Sequence, residues 1–245
     1  MSFTPYDVLA PGRGPLLLTC EHATNRLPPG YAWPAEDRWL TGTHWAFDLG
    51  IGEMTCMLAE RLGLTAVLCG FSRLVVDPNR TDTDLTLFRR TADGREIGLN
   101  RHIDAEEAAR RMALYHAYHA AIDRALVETP GHGVLSMHSF TPQYEDEPPR
   151  PMEVGVLFDR DEEIAHRLGA AIARSGLKVA LNEPYSGKGG LMYCVELHAG
   201  AAGRVALELE VRQDLADDPI QRRRLVPAIA SALLEVGLVD RNGEG

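Results

Sequence analysis

Paired cysteines and long apolar runs are both missing from this sequence. Only 4 of its 245 residues are cysteine, and none forms a C-x-x-C pair, which excludes a zinc-ribbon or thioredoxin-like motif. So few cysteines in a chain of this length also argue against a disulfide framework. The longest apolar runs fall well short of the about 20 residues that cross a membrane, and no early segment has the order of a signal peptide. We therefore expect a protein of the reduced cytoplasm.

Positive charge is also in short supply. Lysine and arginine contribute 25 residues against 35 aspartates and glutamates, so the formal net charge is −10 at pH 7. This balance argues against nucleic acid or an anionic membrane as the main partner, because binding phosphates requires a basic face. A small anionic substrate is compatible with it, since a local arginine pocket can outweigh the global charge.

Three catalytic signatures are absent as well. The chain has no P-loop and no G-x-G-x-x-G motif after a predicted strand. It also lacks a G-x-S-x-G elbow, which argues against a serine hydrolase even though Ser136 and Ser139 flank a histidine.

Strand-like and helix-like apolar segments alternate along the chain. Strands are predicted at 16–20, 64–69, 72–77, 132–138, 153–158, 177–181 and 204–211. Helices are predicted at 46–62, 104–128, 160–175 and 217–237. Irregular segments are predicted at 1–15, 78–100, 140–152 and 183–200. The pattern predicts one α/β domain over residues 1–245, with a central mixed, largely parallel sheet and helices on both faces.

Two of the predicted strands end on a histidine. LLLTCEHATN leads into His22, and GVLSMHSFTP leads into His138. A lone histidine at a strand end is more often a cap or a core hydrogen-bonding group than a ligand. Two of them at the same edge of an open sheet, where α/β proteins bind ligands, favour a shared metal centre instead. Catalytic zinc takes three protein ligands and keeps one open position, so a third ligand is needed.

The third ligand has three candidates. THWAFDLG offers His44 and Asp48, whose spacing of four residues would place both on one helical face. Asp48 could equally be a first-turn acid favoured by the helix dipole. Glu21, next to the first strand-end histidine, is the third option. The remaining candidate metal pair, His116 and His119, has no acid at helical spacing to complete a motif, and we interpret both residues as structural or exposed.

The strand RVALELEVRQD carries two glutamates on one face. Glu208, Glu210 and Arg212 share that face by two-residue alternation. Glutamates in an otherwise apolar strand are costly unless they are paired or functional, and a carboxylate near the strand end suits a general base. A solvated edge strand is the alternative.

Polar residues also cluster in SRLVVDPNR, which contains Arg73, Asp77, Asn79 and Arg80. One arginine could pair with the aspartate, and the other is a candidate clamp for an acidic substrate. The later loop LNEPYSGKGG carries Tyr185 and Ser186 and could be a mobile lid with substrate contacts, although a plain surface turn explains it nearly as well.

Six segments together resemble the N-formylglutamate amidohydrolase family. In order they are CEHATN, HWAFDLG, SRLVVDPNR, MHSFTP, NEPYSG and LEVRQDL, and they span nearly the whole chain. The resemblance implies a phosphorylase/hydrolase-like fold, similar to zinc carboxypeptidases and aminoacylase-type deacylases. It also implies hydrolysis, assisted by Zn²⁺ or another divalent metal, of the N-formyl or N-acyl amide of an acidic amino acid such as N-formylglutamate.

The resemblance assigns roles at the metal centre. It makes His22 and His138 metal ligands, matches Asp48 to the family's acid, and places Glu210 where a zinc deacylase needs its general base. Carboxypeptidase-like sites use H-x-x-E, whereas Asn25 stands three residues after the first histidine. The third ligand therefore stays open among the three candidates above.

Around the substrate, Asn79 and Arg80 resemble the pair that grips a substrate carboxylate. In the mechanism that we expect, Arg73 or Tyr185 stabilises the oxyanion, and Ser186 in the later loop is a candidate substrate contact. Two alternatives share this site: a hydrolase of another N-acyl amino acid or short peptide, and a binder of small carboxylates without turnover.

Overall fold

Nine strands form a large sheet and a small hairpin in the computed structural model, which describes residues 3–9, 12, 14–129, 131–144 and 146–240. The strands are β1 (Tyr6–Leu9), β2 (Leu16–Cys20), β3 (Thr65–Cys69), β4 (Thr91–Ala92), β5 (Arg95–Glu96), β6 (Gly133–Phe140), β7 (Val154–Leu157), β8 (Val179–Leu181) and β9 (Val205–Arg212). Seven of them form one sheet in the order β1-β3-β2-β6-β9-β7-β8, and β4 pairs only with β5.

The large sheet is mixed and mostly parallel, as the sequence predicts. Pairs β1–β3 and β7–β9 are antiparallel, and the other four pairs are parallel. Strands β2, β6 and β9 are adjacent and parallel, so their carboxyl ends lie at one edge. This edge is where open α/β sheets bind ligands.

Helices cover both faces of this sheet. They are α1 (Ile51–Leu62), α2 (Ala105–Glu128), α3 (Glu162–Ala173), α4 (Tyr193–Val195), α5 (Gln213–Ala216) and α6 (Pro219–Glu235), and a π-helical turn, Glu196–Gly200, continues α4. Alternating side chains of β2 reach the two cores: Leu16 and Leu18 pack with α1, α3 and α6, while Leu17 packs with α2. No helix among the described residues combines the length and apolarity needed to cross a bilayer.

Helix α1 begins later than its apolar spacing predicts. The prediction starts it at 46, whereas it starts at Ile51, after Gly50 adopts a left-handed backbone with φ of 74°. A Cβ at Gly50 would lie 2.1 Å from the carbonyl oxygen of Ala216, so only glycine fits this turn. The predicted sharing of one helical face by His44 and Asp48 is therefore wrong, because both residues precede the helix.

The segment 72–77, predicted to be a strand, forms turns instead. Its backbone groups are satisfied locally: the N–H of Val75 donates to the Ser72 carbonyl at 2.9 Å, and the Ser72 hydroxyl donates to the Ala46 carbonyl at 2.7 Å. Three predicted loops also contain regular structure, namely β1 within 1–15, the β4–β5 hairpin within 78–100, and α4 with its π-helical turn within 183–200.

Candidate active site

Strand register brings polar side chains together on the α2 side of the sheet. In the pairing of β6 with β9, Ser136 lies opposite Glu208 and His138 lies opposite Glu210. Residues two apart on a strand share a face, so these four side chains form a small grid. All four are at least 95% buried. The in-strand glutamates thus lie beside the second strand-end histidine.

The first histidine, His22, is oriented by an aspartate and an arginine. Its Nε2 donates to Asp77 Oδ1 at 2.7 Å. The other Asp77 oxygen accepts from Arg73 Nε and Nη2 at 3.1 and 2.7 Å. Arg73 therefore makes the structural pair that the sequence suggested for one of the two arginines. Because Nε2 is engaged, the buried Nδ1 of His22 turns the other way and has no hydrogen-bond partner among the described residues.

The second histidine, His138, has a parallel arrangement. Its Nε2 donates to Glu21 Oε2 at 2.9 Å, and the same oxygen accepts from the Ser136 hydroxyl. The other carboxylate oxygen of Glu21 accepts from Tyr118 on α2 at 3.2 Å. Glu21, one candidate third ligand, thus has both oxygens engaged in orienting the imidazole. Carboxylate partners of this kind orient histidines in metal sites.

Asp48 lies where the two imidazoles converge. Its Oδ2 is 3.4 Å from His22 Nδ1 and 2.9 Å from His138 Nδ1. The carboxylate is fixed from behind, because the backbone N–H of Ser139 donates to the same oxygen at 3.1 Å. The three potential ligand atoms lie within 4.8 Å of one another. Of the three candidate third ligands, Asp48 is the one that joins this cluster.

The donor set fits a divalent cation. When a neutral His138 carries its proton on Nε2, its Nδ1 lone pair faces an Asp48 oxygen, which is repulsive without a positive charge between them. Burial would raise the pKa of Asp48, but the nearby imidazoles, His22 first, outweigh this effect and hold the pKa below its usual range. The pKa of His138 is raised well above its ordinary value: burial opposes this shift, and Glu208, Asp48 and Glu21 drive it. Two imidazoles and one carboxylate are typical ligands of catalytic Zn²⁺.

The two strand glutamates are less well satisfied. Oε2 of Glu208 and Oε2 of Glu210 are buried and have no hydrogen-bond partner in the part of the chain that the structure describes. Burial raises the pKa of Glu208 to about 7. It also raises the pKa of Glu210 well above the ordinary range, although His138 partly opposes the shift. The carboxyl group of Glu208 can therefore exchange a proton near neutral pH, as an acid–base catalyst must.

A cavity of about 360 Å³ opens above this cluster. Its base carries His22, Asp48, His138 and the two strand glutamates. Its walls carry four arginines, namely Arg73, Arg80, Arg89 and Arg150. The sequence points to the first two, both in one motif. The other two lie in loops with no recognisable pattern, so sequence reasoning missed them.

Aromatic rings hold two of these arginines. The guanidinium of Arg89 lies 5.1 Å from the ring centre of Trp45. That of Arg150 lies between 5.3 and 5.8 Å from the rings of Phe140, Tyr144 and Tyr185. Stacking restricts each guanidinium and leaves its edges able to donate hydrogen bonds.

The predicted substrate contacts are placed unevenly. Tyr185 lines the cavity, whereas Ser186 lies outside its lining. Arg80 lines it too, with Nε donating to the Thr86 hydroxyl at 3.2 Å. Asn79 is also among the lining residues, but its amide nitrogen donates to the Leu191 carbonyl at 3.2 Å and its oxygen accepts from the Cys194 N–H at 2.9 Å. The Asn79 side chain is thus bonded to the chain's own backbone. His44 lines the cavity as well, with its ring 4.6 Å from Trp45.

Comparison with known proteins identifies a matching family and similar folds. A model of the N-formylglutamate amidohydrolase family matches residues 14–216. The crystal structure of the Agrobacterium tumefaciens gene product Atu2144 superposes with a TM-score of 0.88 at 27% identity, over 97% of this chain and 98% of that one. An N-formylglutamate amidohydrolase from Ralstonia eutropha JMP134 superposes with a TM-score of 0.69 at 21% identity, over 96% and 98%. A search of curated proteins finds no significant match.

The family match covers most of the sequence. The chain therefore belongs to the N-formylglutamate amidohydrolase family and is a hydrolase that acts on amide bonds. The family resemblance seen in the six sequence motifs is confirmed.

Proposed function

We propose that this member of the N-formylglutamate amidohydrolase family removes the N-formyl group of an acidic amino acid, with a divalent metal ion, Zn²⁺, held by His22, Asp48 and His138. One observation carries the proposal. Each imidazole has its Nε2 held by a buried carboxylate, so that each Nδ1 is directed at the same Asp48 oxygen. Bound there, Zn²⁺ would supply an acidified water and a positive charge for the carbonyl oxygen.

Glu210 is the general base in this proposal. Glu210 lines the cavity, one of its carboxylate oxygens has no hydrogen-bond partner among the described residues, and its strand position is opposite His138. The carboxylate takes a proton from the water whose oxygen attacks the formyl carbon. It then returns that proton to the amide nitrogen as the C–N bond breaks, giving formate and the free amino acid. Burial raises the pKa of Glu210, so its carboxyl group holds a proton more tightly than an exposed glutamate does.

Arg73 assists at the carbonyl oxygen. Its Nη1 is 3.5 Å from Asp48 Oδ1, while Nε and Nη2 are anchored on Asp77. A guanidinium fixed in this way is preorganised to stabilise the negative charge that develops in the tetrahedral state. Tyr185, whose hydroxyl accepts from Arg150 at 3.4 Å, is the other candidate donor.

The arginines of the cavity lining support the proposal of an acidic substrate. N-formylglutamate carries two carboxylates, and the cavity presents Arg80, Arg89 and Arg150 in addition to the arginine committed to Asp77. Guanidinium groups bind carboxylates through paired hydrogen bonds. We assign substrate carboxylate binding to these three arginines and give Asn79 a positioning role, since both ends of its amide contact the backbone of Leu191 and Cys194.

A substrate panel tests the proposal. Purified protein would be assayed against N-formyl and N-acetyl derivatives of glutamate, aspartate, glutamine and methionine, before and after metal removal and after Zn²⁺ is restored. We expect the highest kcat/KM for the N-formyl acidic amino acids, loss of turnover on chelation and recovery with Zn²⁺. Chelator-resistant turnover would refute the metal assignment, and preference for N-acetyl or neutral substrates would refute the substrate assignment.

A further inference from the structure

A second cluster of metal-ligand side chains lies away from the cavity, between α2 and α4. It consists of His119 on α2, Cys194 on α4 and His198 in the π-helical turn. All three residues are at least 93% buried. One potential ligand atom from each lies within 4.8 Å of the other two. None of the three lines the cavity.

The ring nitrogens in this cluster face each other. His119 Nδ1 lies 2.8 Å from His198 Nε2. The other nitrogen of His198, Nδ1, donates to Asp123 Oδ1 at 2.7 Å. Because the carboxylate holds the proton on Nδ1, the Nε2 of His198 presents a lone pair to the cluster, where it accepts from His119 Nδ1. This is the same use of an outer carboxylate that orients His22 and His138.

Two short spacings create the cluster. His119 and Asp123 are four residues apart on α2, and Cys194 and His198 are four apart on the neighbouring segment, so each pair occupies one helical face. The interpretation of His119 as structural or exposed depends on the lack of an acid at helical spacing, and Asp123 provides one. A π-helical turn lies at His198, and such turns are frequent at functional sites.

We propose that His119, Cys194 and His198 bind a second metal ion, Zn²⁺ by the chemistry of the donors. Thiolate and imidazole nitrogen are its preferred protein ligands. Two nitrogens on one tetrahedral Zn²⁺ are separated by about 3.3 Å, since each Zn–N bond is about 2.0 Å. A separation of 2.8 Å therefore needs an outward movement of about half an ångström to admit the ion.

The second ion would fasten a wall of the catalytic cavity. The backbone N–H of Cys194 donates to Asn79, and Asn79 donates to the carbonyl of Leu191, which lines the cavity. A metal on Cys194 and His119 would cross-link this wall to α2. This ion would take no part in the reaction in the cavity, since the cluster shares no ligand with the cavity's glutamates and arginines.

Cobalt spectroscopy distinguishes the two sites. The ligands proposed for the catalytic ion include no sulfur, so a thiolate-to-cobalt charge-transfer band can arise only at the second. Full-length protein stripped of metal would be titrated with Co²⁺ while absorbance is recorded and bound metal is measured. We expect two equivalents per chain and a thiolate band from one of them. A single equivalent, or two without a thiolate band, would overturn the proposal even if the amidohydrolase activity is confirmed.

Matched variants locate the band. Cys194→Ala should remove one equivalent and the band, and Asp48→Asn should remove the other equivalent and keep the band. Cys56→Ala is the control, because Cys56 packs on the opposite face of the sheet and should leave both equivalents intact. A band that survives Cys194→Ala would reject the site. If that variant does not fold, as judged by circular dichroism, the wild-type titration still decides the question.

Discussion

Two histidine clusters in this molecule have similar local geometry and different surroundings. In each, a carboxylate holds the outer nitrogen of an imidazole and directs the inner nitrogen at a second ligand. The cluster at the ends of β2 and β6 opens into a cavity of about 360 Å³, with Glu210 beside it. The cluster between α2 and α4 is buried between helical segments and lies outside that cavity. The comparison teaches that an open side and a nearby base, more than the ligands themselves, distinguish a catalytic centre.

The largest effect on turnover should come from removing Asp48, the proposed acidic ligand in the cluster that opens into the cavity. In Asp48→Asn, the anion at which both imidazoles are directed is lost, so we expect turnover to fall to background and one metal equivalent to disappear. Activity assays and metal analysis of the same preparation would measure this. Near wild-type turnover in the variant would break the comparison, because the open cluster would then not be the catalytic one.

Replacing the proposed base should give the next largest effect. We expect Glu210→Gln to lower kcat by about 10²–10⁴-fold, the usual contribution of a general base, with metal content unchanged. Steady-state kinetics would measure the loss. Glu208→Gln is the matched control, since Glu208 is two residues away on the same face, is also buried, and has an oxygen without a hydrogen-bond partner among the described residues. A greater loss in the control than in Glu210→Gln would transfer the role of base to Glu208.

An arginine of the cavity wall should affect substrate choice more than chemistry. For Arg89→Gln we expect kcat/KM on N-formylglutamate to fall by about 10- to 100-fold, the value of a hydrogen bond to a charged group. The rate on an N-formyl neutral amino acid should change little. Arg95→Gln is the control, because Arg95 stacks on Trp39 at 5.0 Å but lies outside the cavity. Equal losses on both substrates would argue against carboxylate recognition by Arg89.

The smallest effect concerns stability of the metal-free protein. Glu208 has its pKa raised by burial from 4.5 to about 7, so the folded state holds this proton more tightly than the unfolded chain. The contribution of this group to the free energy of unfolding is fully present below about pH 4.5 and is lost as the pH rises through about 7. We expect the Tm of metal-free protein to fall by a few degrees over this range and that of Glu208→Gln to fall less. Calorimetry after chelation would measure both. Identical pH profiles would show that Glu208 is not the titrating group.

The strand-borne half of the site follows from the sequence. Buried parallel strands produce continuous apolar runs, and the polar residue that ends each run marks the edge of the sheet. That logic alone places His22 and His138 at one edge. It also singles out the strand with Glu208 and Glu210, since burying two charged side chains in an apolar strand is costly unless they are paired or functional.

The remaining parts depend on contacts that no local pattern encodes. Asp48 reaches the cluster from the turn before α1, and Gly50 with its left-handed backbone delays that helix against the apolar periodicity. Arg150 belongs to an irregular loop, and its guanidinium is held by rings from Phe140, Tyr144 and Tyr185, contacts that its own sequence does not predict. The cluster of His119, Cys194 and His198 joins two helical segments whose contacting residues are 75 or more positions apart in the chain. Which helical faces meet is decided only by packing.

Strands carry one part of the site and loops carry the other, and this affects how such an enzyme can change over evolutionary time. His138, Glu208 and Glu210 are fixed in register by the β6–β9 ladder, where a shift of one residue would turn every side chain to the other face. Arg89 and Arg150 lie on connections outside that ladder. Insertions and substitutions in these connections can therefore change which substrate is bound while the strand-borne histidine and glutamates stay in place.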